Sequence, residues 1–310
     1  MIRAGLLWLS EQPRIFKFVR SNRLARRFAA RFVAGETVQT AVAAVKDLNA
    51  HGITASLDLL GESVASATEA AHARDTYLES LDLIRAGGVD ANVSVKLTQM
   101  GLDIDERRCL ENVGAIIAKA KAQGSFVRID MEGSAYTETT LGIFKEKLYP
   151  EYGNAVGVVL QSYLYRTEKD VDDMIALGAW VRLCKGAYKE PPEVAYPKKA
   201  DVDASYVRCL DRLLERGRYP GIATHDERIL THAQAYARQH GISPDRFEFQ
   251  MLYGVRRDLQ LRLRRAGWRV RVYVPFGTHW YPYLMRRLAE RPANIAFIVG
   301  NVVKESLRRR

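Results

Sequence analysis

Three cysteines in 310 residues, Cys109, Cys184 and Cys209, make no C-x-x-C pair and no metal-finger spacing, and their odd number cannot close a full disulfide framework. That excludes a stapled secreted domain, gives no reason to expect a bound metal, and fits a reduced, cytoplasmic setting. No apolar run approaches the ~20 residues that span a bilayer. The stretch "GLLWL" near the start is too short for a signal core, and no A-x-A-like site follows it. Serine is scarce in the Arg-rich segment up to Ala34, whose single acid is Glu11. The segment therefore reads as amphipathic surface helices rather than as an organellar transit peptide. No Pro-, Gly- or Ser-rich linker divides the chain, so one domain is expected over residues 1–310, with residues before about 50 as accessory N-terminal helices.

Nucleotide fingerprints are missing as well. There is no G-x-G-x-x-G after a strand and no P-loop. The formal charge of +11 asks for an acidic partner: nucleic acid, anionic lipid or a phosphate-bearing ligand. With no zinc finger, no basic region with heptads and no RNP-like strand, specific nucleic-acid binding is disfavoured.

What the chain does contain is alternation. Eight short β-like runs are separated by stretches with i, i+3, i+4 apolar spacing. The runs are Ile53 to Gly61, Asn92 to Gln99, Ser125 to Glu132, Ala155 to Tyr163, Ala179 to Tyr188, Tyr219 to Asp226, Phe247 to Leu252 and Trp268 to Gly277. Three of the helical stretches end near a glycine suited to a C-cap, at Gly88, Gly124 and Gly241. Eight strand–helix units in about 250 residues is the rhythm of a (β/α)8 barrel. Reactive groups of such a barrel stand at the C-terminal ends of its strands. Those ends carry Glu62, Lys96, Asp130, Glu132, Gln161, Arg182, Lys185, Tyr188, Thr224, His225, Asp226, Gln250 and Tyr273. With the strand interiors read as apolar, the set reads as a ring around one pocket.

A last helical stretch places Tyr283, Arg286, Arg287 and Glu290 at i, i+3, i+4 and i+7, one helix face. Two guanidiniums that close suit a shared anion, and a carboxylate matches their fork. A solvated face with an Arg-to-Glu pair explains the spacing equally well.

The ordered motifs "LDLLGES", "VSVKLTQMGLD", "VRIDMEG", "LQSYLYR", "VRLCKGAYKEP", "IATHD", "FEFQMLYGVR" and "YVPFGTHWYPYLMRRLAER" resemble the proline dehydrogenase family in its short bacterial form, from about Val33 to about Val299. The resemblance implies a distorted (β/α)8 barrel whose final helix caps the mouth. It also implies non-covalent FAD, L-proline as substrate with Δ1-pyrroline-5-carboxylate as product, and a quinone as electron acceptor at a membrane. Under it, Arg286 and Arg287 bind the substrate carboxylate, and Lys96 and Asp130 stand beside substrate and flavin with Glu132 behind them. Leu252 and Tyr273 form walls against the pyrrolidine ring. Glu290 approaches the amine or steadies the lid, and Glu62 pairs with Arg286 as a gate. Gln161, Arg182, Cys184, Lys185, Gly186, Ala187, Tyr188, Thr224 and His225 meet the cofactor. Gly186 is expected to give the ligand close backbone approach. Departures are Cys184 where valine is common, Lys189 where an apolar residue is usual, and a short "GTHWYPY" turn.

The positive charge further suits transient attachment to an anionic membrane surface from the cytoplasmic side. A competing reading of the same barrel is a Schiff-base aldolase, with Lys96 as nucleophile and the Arg pair on phosphate.

Overall fold

In the computed structural model of the chain, residues 29–290 are described, with their side chains to residue 285. Eight parallel strands close into a barrel in chain order. They are β1 (Thr54–Leu59), β2 (Ala91–Val95), β3 (Val127–Ile129), β4 (Val156–Gln161), β5 (Trp180–Cys184), β6 (Gly221–Ala223), β7 (Glu248–Leu252) and β8 (Val270–Phe276). Closure is the pairing of β8 back onto β1, in the register Thr54↔Arg271 to Leu59↔Phe276.

Each strand overlaps the stretch expected from the alternation, and all but β7 stop sooner. In "AWVRLCKGAY" the strand ends at Cys184, and Gly186 takes φ +112°, a conformation that takes the chain out of the sheet. Lys185 to Tyr188 therefore stand on a loop rather than a strand, as do Lys96 and Asp130 just past the ends of β2 and β3.

Between the strands run α1 (Val38–Ala50), α2 (Ala67–Ala86), α3 (Glu106–Ala122), α4 (Ser134–Ile143), the one-turn α5 (Tyr149–Tyr152), α6 (Thr167–Leu177), α7 (Lys199–Arg216), α8 (Glu227–Gln239), α9 (Arg257–Arg265) and α10 (Trp280–Glu290). Side-chain caps start several of them: Ser66 on α2, Asp105 on α3 and Asp226 on α8 each accept from a first-turn N–H. Gly124, just past α3, has φ +70° and ends the helix as its sequence suggests.

The distortion lies at the seam. The helix after β8 ordinarily packs outside the barrel between β8 and β1. Here α1 occupies that place, against β1, β8 and α2. The freed α10 instead buries Trp280, Tyr281, Leu284 and Met285 against Ala29, Val33 and Leu60, at the C-terminal end of the barrel. The first 28 residues, expected as surface helices, lie outside the described residues.

The barrel interior overturns one expectation: it is polar. Arg182 on β5 reaches Ser56 on β1, Ser94 on β2, Asp130 after β3 and Gln250 on β7, contacts that only cross inside a closed barrel. Lower down, Arg271 pairs with Glu248 at 2.7 Å and donates to Asn92 at 3.1 Å. Arg128 completes the floor, donating to the Trp180 carbonyl at 2.5 Å and the Val158 carbonyl at 3.3 Å. Gly157 admits that guanidinium, because a Cβ there would meet Arg128 Nη1 at 2.5 Å. Apolar side chains face outward instead, toward the helices, as with Phe247 and Phe249 packed on Trp268. An interior charge costs several kcal/mol of desolvation unless it is paired, and this packing leaves most of the interior groups paired.

Candidate active site

A cavity of about 710 Å³ opens at the C-terminal end of the barrel. Of the strand-end groups singled out above, all but Glu132 line it. Glu132 sits just behind, its carboxylate accepting from the Thr98 N–H at 3.1 Å and the Thr98 hydroxyl at 2.5 Å. Burial raises the Glu132 carboxyl above the usual carboxylate range. Its role is to fix the loop that follows Lys96.

At the cavity floor four charges alternate in sign. Lys96 Nζ lies 2.7 Å from Asp58 and 3.9 Å from Asp130, and Arg182 lies 2.8 Å from the other oxygen of Asp130. Burial works against the Lys96 ammonium, yet Asp58 and Asp130 outweigh it and hold it well above the ordinary lysine range. A lysine held as ammonium lacks the lone pair a Schiff-base nucleophile needs, which removes the main support for an aldolase. Tyr273 hangs from the same cluster, donating to Asp130 at 2.7 Å while its ring lies 5.2 Å from the Arg182 guanidinium carbon. Leu252 completes this side of the wall.

The ends of β4, β5 and β6 make another stretch of the wall. Gln161 is 3 % exposed, and its Oε1 has no hydrogen-bond partner among the described residues. A buried acceptor left unpaired costs about 1–3 kcal/mol, and because this one lines the cavity it is open to a donor from water or a ligand. Cys184, Gly186, Ala187 and Tyr188 follow along the wall. A further constraint holds position 186 as glycine. A Cβ at that position would meet the Tyr163 ring at 2.5 Å, so the constraint is the aromatic platform beneath the loop.

Farther out, Lys185 is held by Asp203 at 2.6 Å and Asp226 at 2.8 Å. Burial opposes the Asp226 charge, but Lys185 prevails and brings that carboxyl down to about 2. Thr224 accepts from the Asp226 N–H at 3.1 Å, and His225 Nε2 accepts from the Leu252 N–H at 3.0 Å. That bond makes His225 a brace between β6 and β7 as well as part of the wall. At the mouth, Tyr188 donates to Glu62 at 3.2 Å. Tyr283 of α10 lines the cavity from above. The backbone of α10 carries Arg286, Arg287 and Glu290 three, four and seven residues further on; their side chains, and the Glu62–Arg286 pairing, lie outside the described residues.

The family profile described as proline dehydrogenase matches residues 41–299. A proline dehydrogenase from Deinococcus radiodurans is 43% identical over 98% of this chain and 98% of its own length. Proline dehydrogenase 2 of Bacillus subtilis is 41% identical over 92% of this chain and 95% of its own. This chain belongs to the proline dehydrogenase family. Among solved structures, proline utilization A (PutA) from Bdellovibrio bacteriovorus, inactivated by N-propargylglycine, matches with a TM-score of 0.81 at 28% identity. The match covers 89% of this chain and about a third (34%) of that much longer one.

Motif reading passes over several residues that build this family member's site. Asp58 is the chief one: 1 % exposed, it makes the shortest contact to Lys96. Its signal is the alternation Thr54, Ser56, Asp58 along β1, three polar positions two apart in a strand buried on both faces. Glu248 and Arg271 follow the same rule on β7 and β8. Asp203 on α7 carries no such signal, because helical spacing does not tell which strand end a helix side chain reaches.

Proposed function

We propose that this chain oxidises L-proline to Δ1-pyrroline-5-carboxylate with a non-covalently bound FAD, and passes the electrons to a quinone at a membrane surface. The observation that carries this reading is a single one. One cavity is lined both by Gln161, whose Oε1 has no partner among the described residues, and by the charge-balanced cluster of Asp58, Lys96, Asp130 and Arg182. Membership of the proline dehydrogenase family supports the same substrate.

The lining fits a flavin. Gln161 offers an acceptor to a ring N–H, and Gly186 and Ala187 present backbone to the cofactor's length. Lys185 commits two of its three N–H donors to Asp203 and Asp226, leaving one for a phosphate oxygen. Thr224, His225 and Tyr188 bound the same channel. When bound, FAD supplies the hydride acceptor.

The chain's own residues supply position and electrostatics. In this reading Arg286 and Arg287 grip the substrate carboxylate, which lies beside the Lys96 ammonium. Tyr273 and Leu252 flank the pyrrolidine ring, and Asp130 locks the tyrosine hydroxyl at 2.7 Å, so that wall keeps one orientation. Closure of α10 excludes water, and a dry site favours the neutral amine that hydride loss requires. Glu290 approaches that amine or steadies the lid. For location, no helix among the described residues is long and apolar enough to cross a membrane. The charge of +11 supports transient attachment to an anionic surface from the cytoplasmic side.

Thiol labelling during an FAD titration tests the cofactor site. Cys184 lines the cavity, whereas Cys109 and Cys209 are buried, their thiols pushed up to about 12 and about 11 by desolvation. Iodoacetamide should alkylate Cys184 in protein stripped of flavin and spare it once FAD is added at one equivalent, leaving Cys109 and Cys209 untouched throughout. Equal labelling of Cys184 with and without FAD would place the cofactor elsewhere.

A further inference from the structure

Glu190 follows the cofactor-side loop by two residues and is not part of the cavity wall. Its carboxylate crosses to the neighbouring loop. Oε1 accepts from the Ser134 N–H at 2.8 Å, and Oε2 accepts from the Ser134 hydroxyl. Ser134 opens α4, whose N-cap is Gly133 and makes no side-chain cap bond. Glu190 therefore supplies from another loop the acceptor that the helix start lacks locally, and its negative charge suits that end of the helix.

The same Oε1 accepts from the Tyr163 hydroxyl at 3.2 Å. Tyr163 is the platform beneath Gly186: a Cβ added to that glycine would meet three atoms of the ring within 2.6 Å. The Tyr163 N–H also donates to the Lys185 carbonyl at 2.9 Å. Burial, aided by the Glu190 charge, pushes the phenol far above its usual range, so it remains a donor. One carboxylate thus ties together two loops that otherwise share few bonds. On one side is the loop of Asp130, four residues before Ser134; on the other is the loop of Lys185 to Tyr188.

We propose that Glu190 is a positioning residue: through Tyr163 and Ser134 it holds the Gly186 loop at a fixed height over the Asp130 cluster, so that the cofactor lies where the substrate can reach it. The inference rests on the reading of the cavity as a flavin site. Glycine at positive φ has wide conformational freedom, and the loop after it carries two prolines and no regular structure up to the bridge at Ala195. Without the carboxylate, the Tyr163 ring loses its anchor and the loop its platform.

The test uses the holoenzyme and two variants, Glu190→Ala and Glu190→Gln. Flavin release on dilution is followed by fluorescence, kcat and KM for proline are measured at saturating FAD, and Tm is recorded alongside. Glu190→Ala should weaken FAD retention by about tenfold or more, the scale expected for loss of hydrogen bonds to a charged group. It should also alter the shape of the bound flavin's visible bands, with the proline KM at saturating FAD within about twofold of the parent. Glu190→Gln, which keeps one acceptor for Ser134, should restore retention to within about threefold. The inference is overturned if Glu190→Ala retains flavin like the parent with an unchanged spectrum. It is equally overturned if both variants lose Tm and activity together with no rescue by glutamine, since that is a fold defect. A parent that binds no flavin at all would overturn the cavity reading, and the Glu190 inference with it.

Discussion

Replacing Arg287 with methionine should raise the KM for L-proline by about two orders of magnitude and leave FAD bound. A bidentate guanidinium–carboxylate contact is charge-assisted, and its loss from a closed site costs on the order of 1.5–3 kcal/mol, which is tenfold to more than a hundredfold in affinity. Methionine keeps the length and apolar stem, so the packing of α10 over the mouth is preserved. The control lies in the same sequence. Arg257 belongs to another Arg-Arg pair but is exposed, its guanidinium carbon 5.2 Å from the Tyr253 ring centroid. Arg257→Met should leave KM within about twofold. Steady-state kinetics on the two variants separates a specific anion clamp from a general effect of removing positive charge. Equal KM values would dismiss the clamp.

Asp130→Ala should abolish turnover and also destabilise the apoprotein by about 3 kcal/mol. The carboxylate is shared between the Arg182 guanidinium at 2.8 Å and the Tyr273 hydroxyl at 2.7 Å, with Lys96 at 3.9 Å. Removing one member of a buried pair leaves its partner's charge uncompensated, at about 3–5 kcal/mol. The lower figure applies because Arg182 keeps Gln250, Ser56 and Ser94 as acceptors, and Lys96 keeps Asp58. Asp130→Asn retains one acceptor for Arg182 or Tyr273 and should cost about half as much. Denaturant unfolding of both variants without FAD measures the structural share, and kcat at saturating FAD measures the rest. An alanine variant within about 1 kcal/mol of the parent would mean that Arg182 is not held by this carboxylate.

The barrel is legible in the sequence because parallel strands and their helices have different periods, and that difference survives without any contact information. Strand ends were less legible. "AWVRLCKGAY" shows no break before Gly186, and the strand's end at Cys184 and the φ of +112° at Gly186 are seen only in the fold. The polar interior departs from the sequence expectation for a geometric reason. In "FEFQML", Phe247, Phe249 and Met251 alternate with Glu248 and Gln250, the pattern of a strand with one wet face. In a closed barrel with helices outside, the apolar face turns outward and the polar face inward, and the interior charges satisfy one another. The role of Asp58 is not legible within "LDLLGES", because a single acid in a buried strand declares no partner until β1 and β2 are paired, Asp58 beside Ser94. The exchange of places between α1 and α10 was equally hidden. Both helices are amphipathic, and nothing in their spacing says which of them packs against β1 and β8.

The central claim is that proline reduces a flavin seated between Gln161 and the Asp130 cluster. Anaerobic stopped-flow mixing of the FAD-loaded protein with L-proline measures it directly. The account predicts bleaching of the flavin band at about 450 nm, with a rate that saturates in proline concentration. A flavin band that stays unbleached at saturating proline would contradict it.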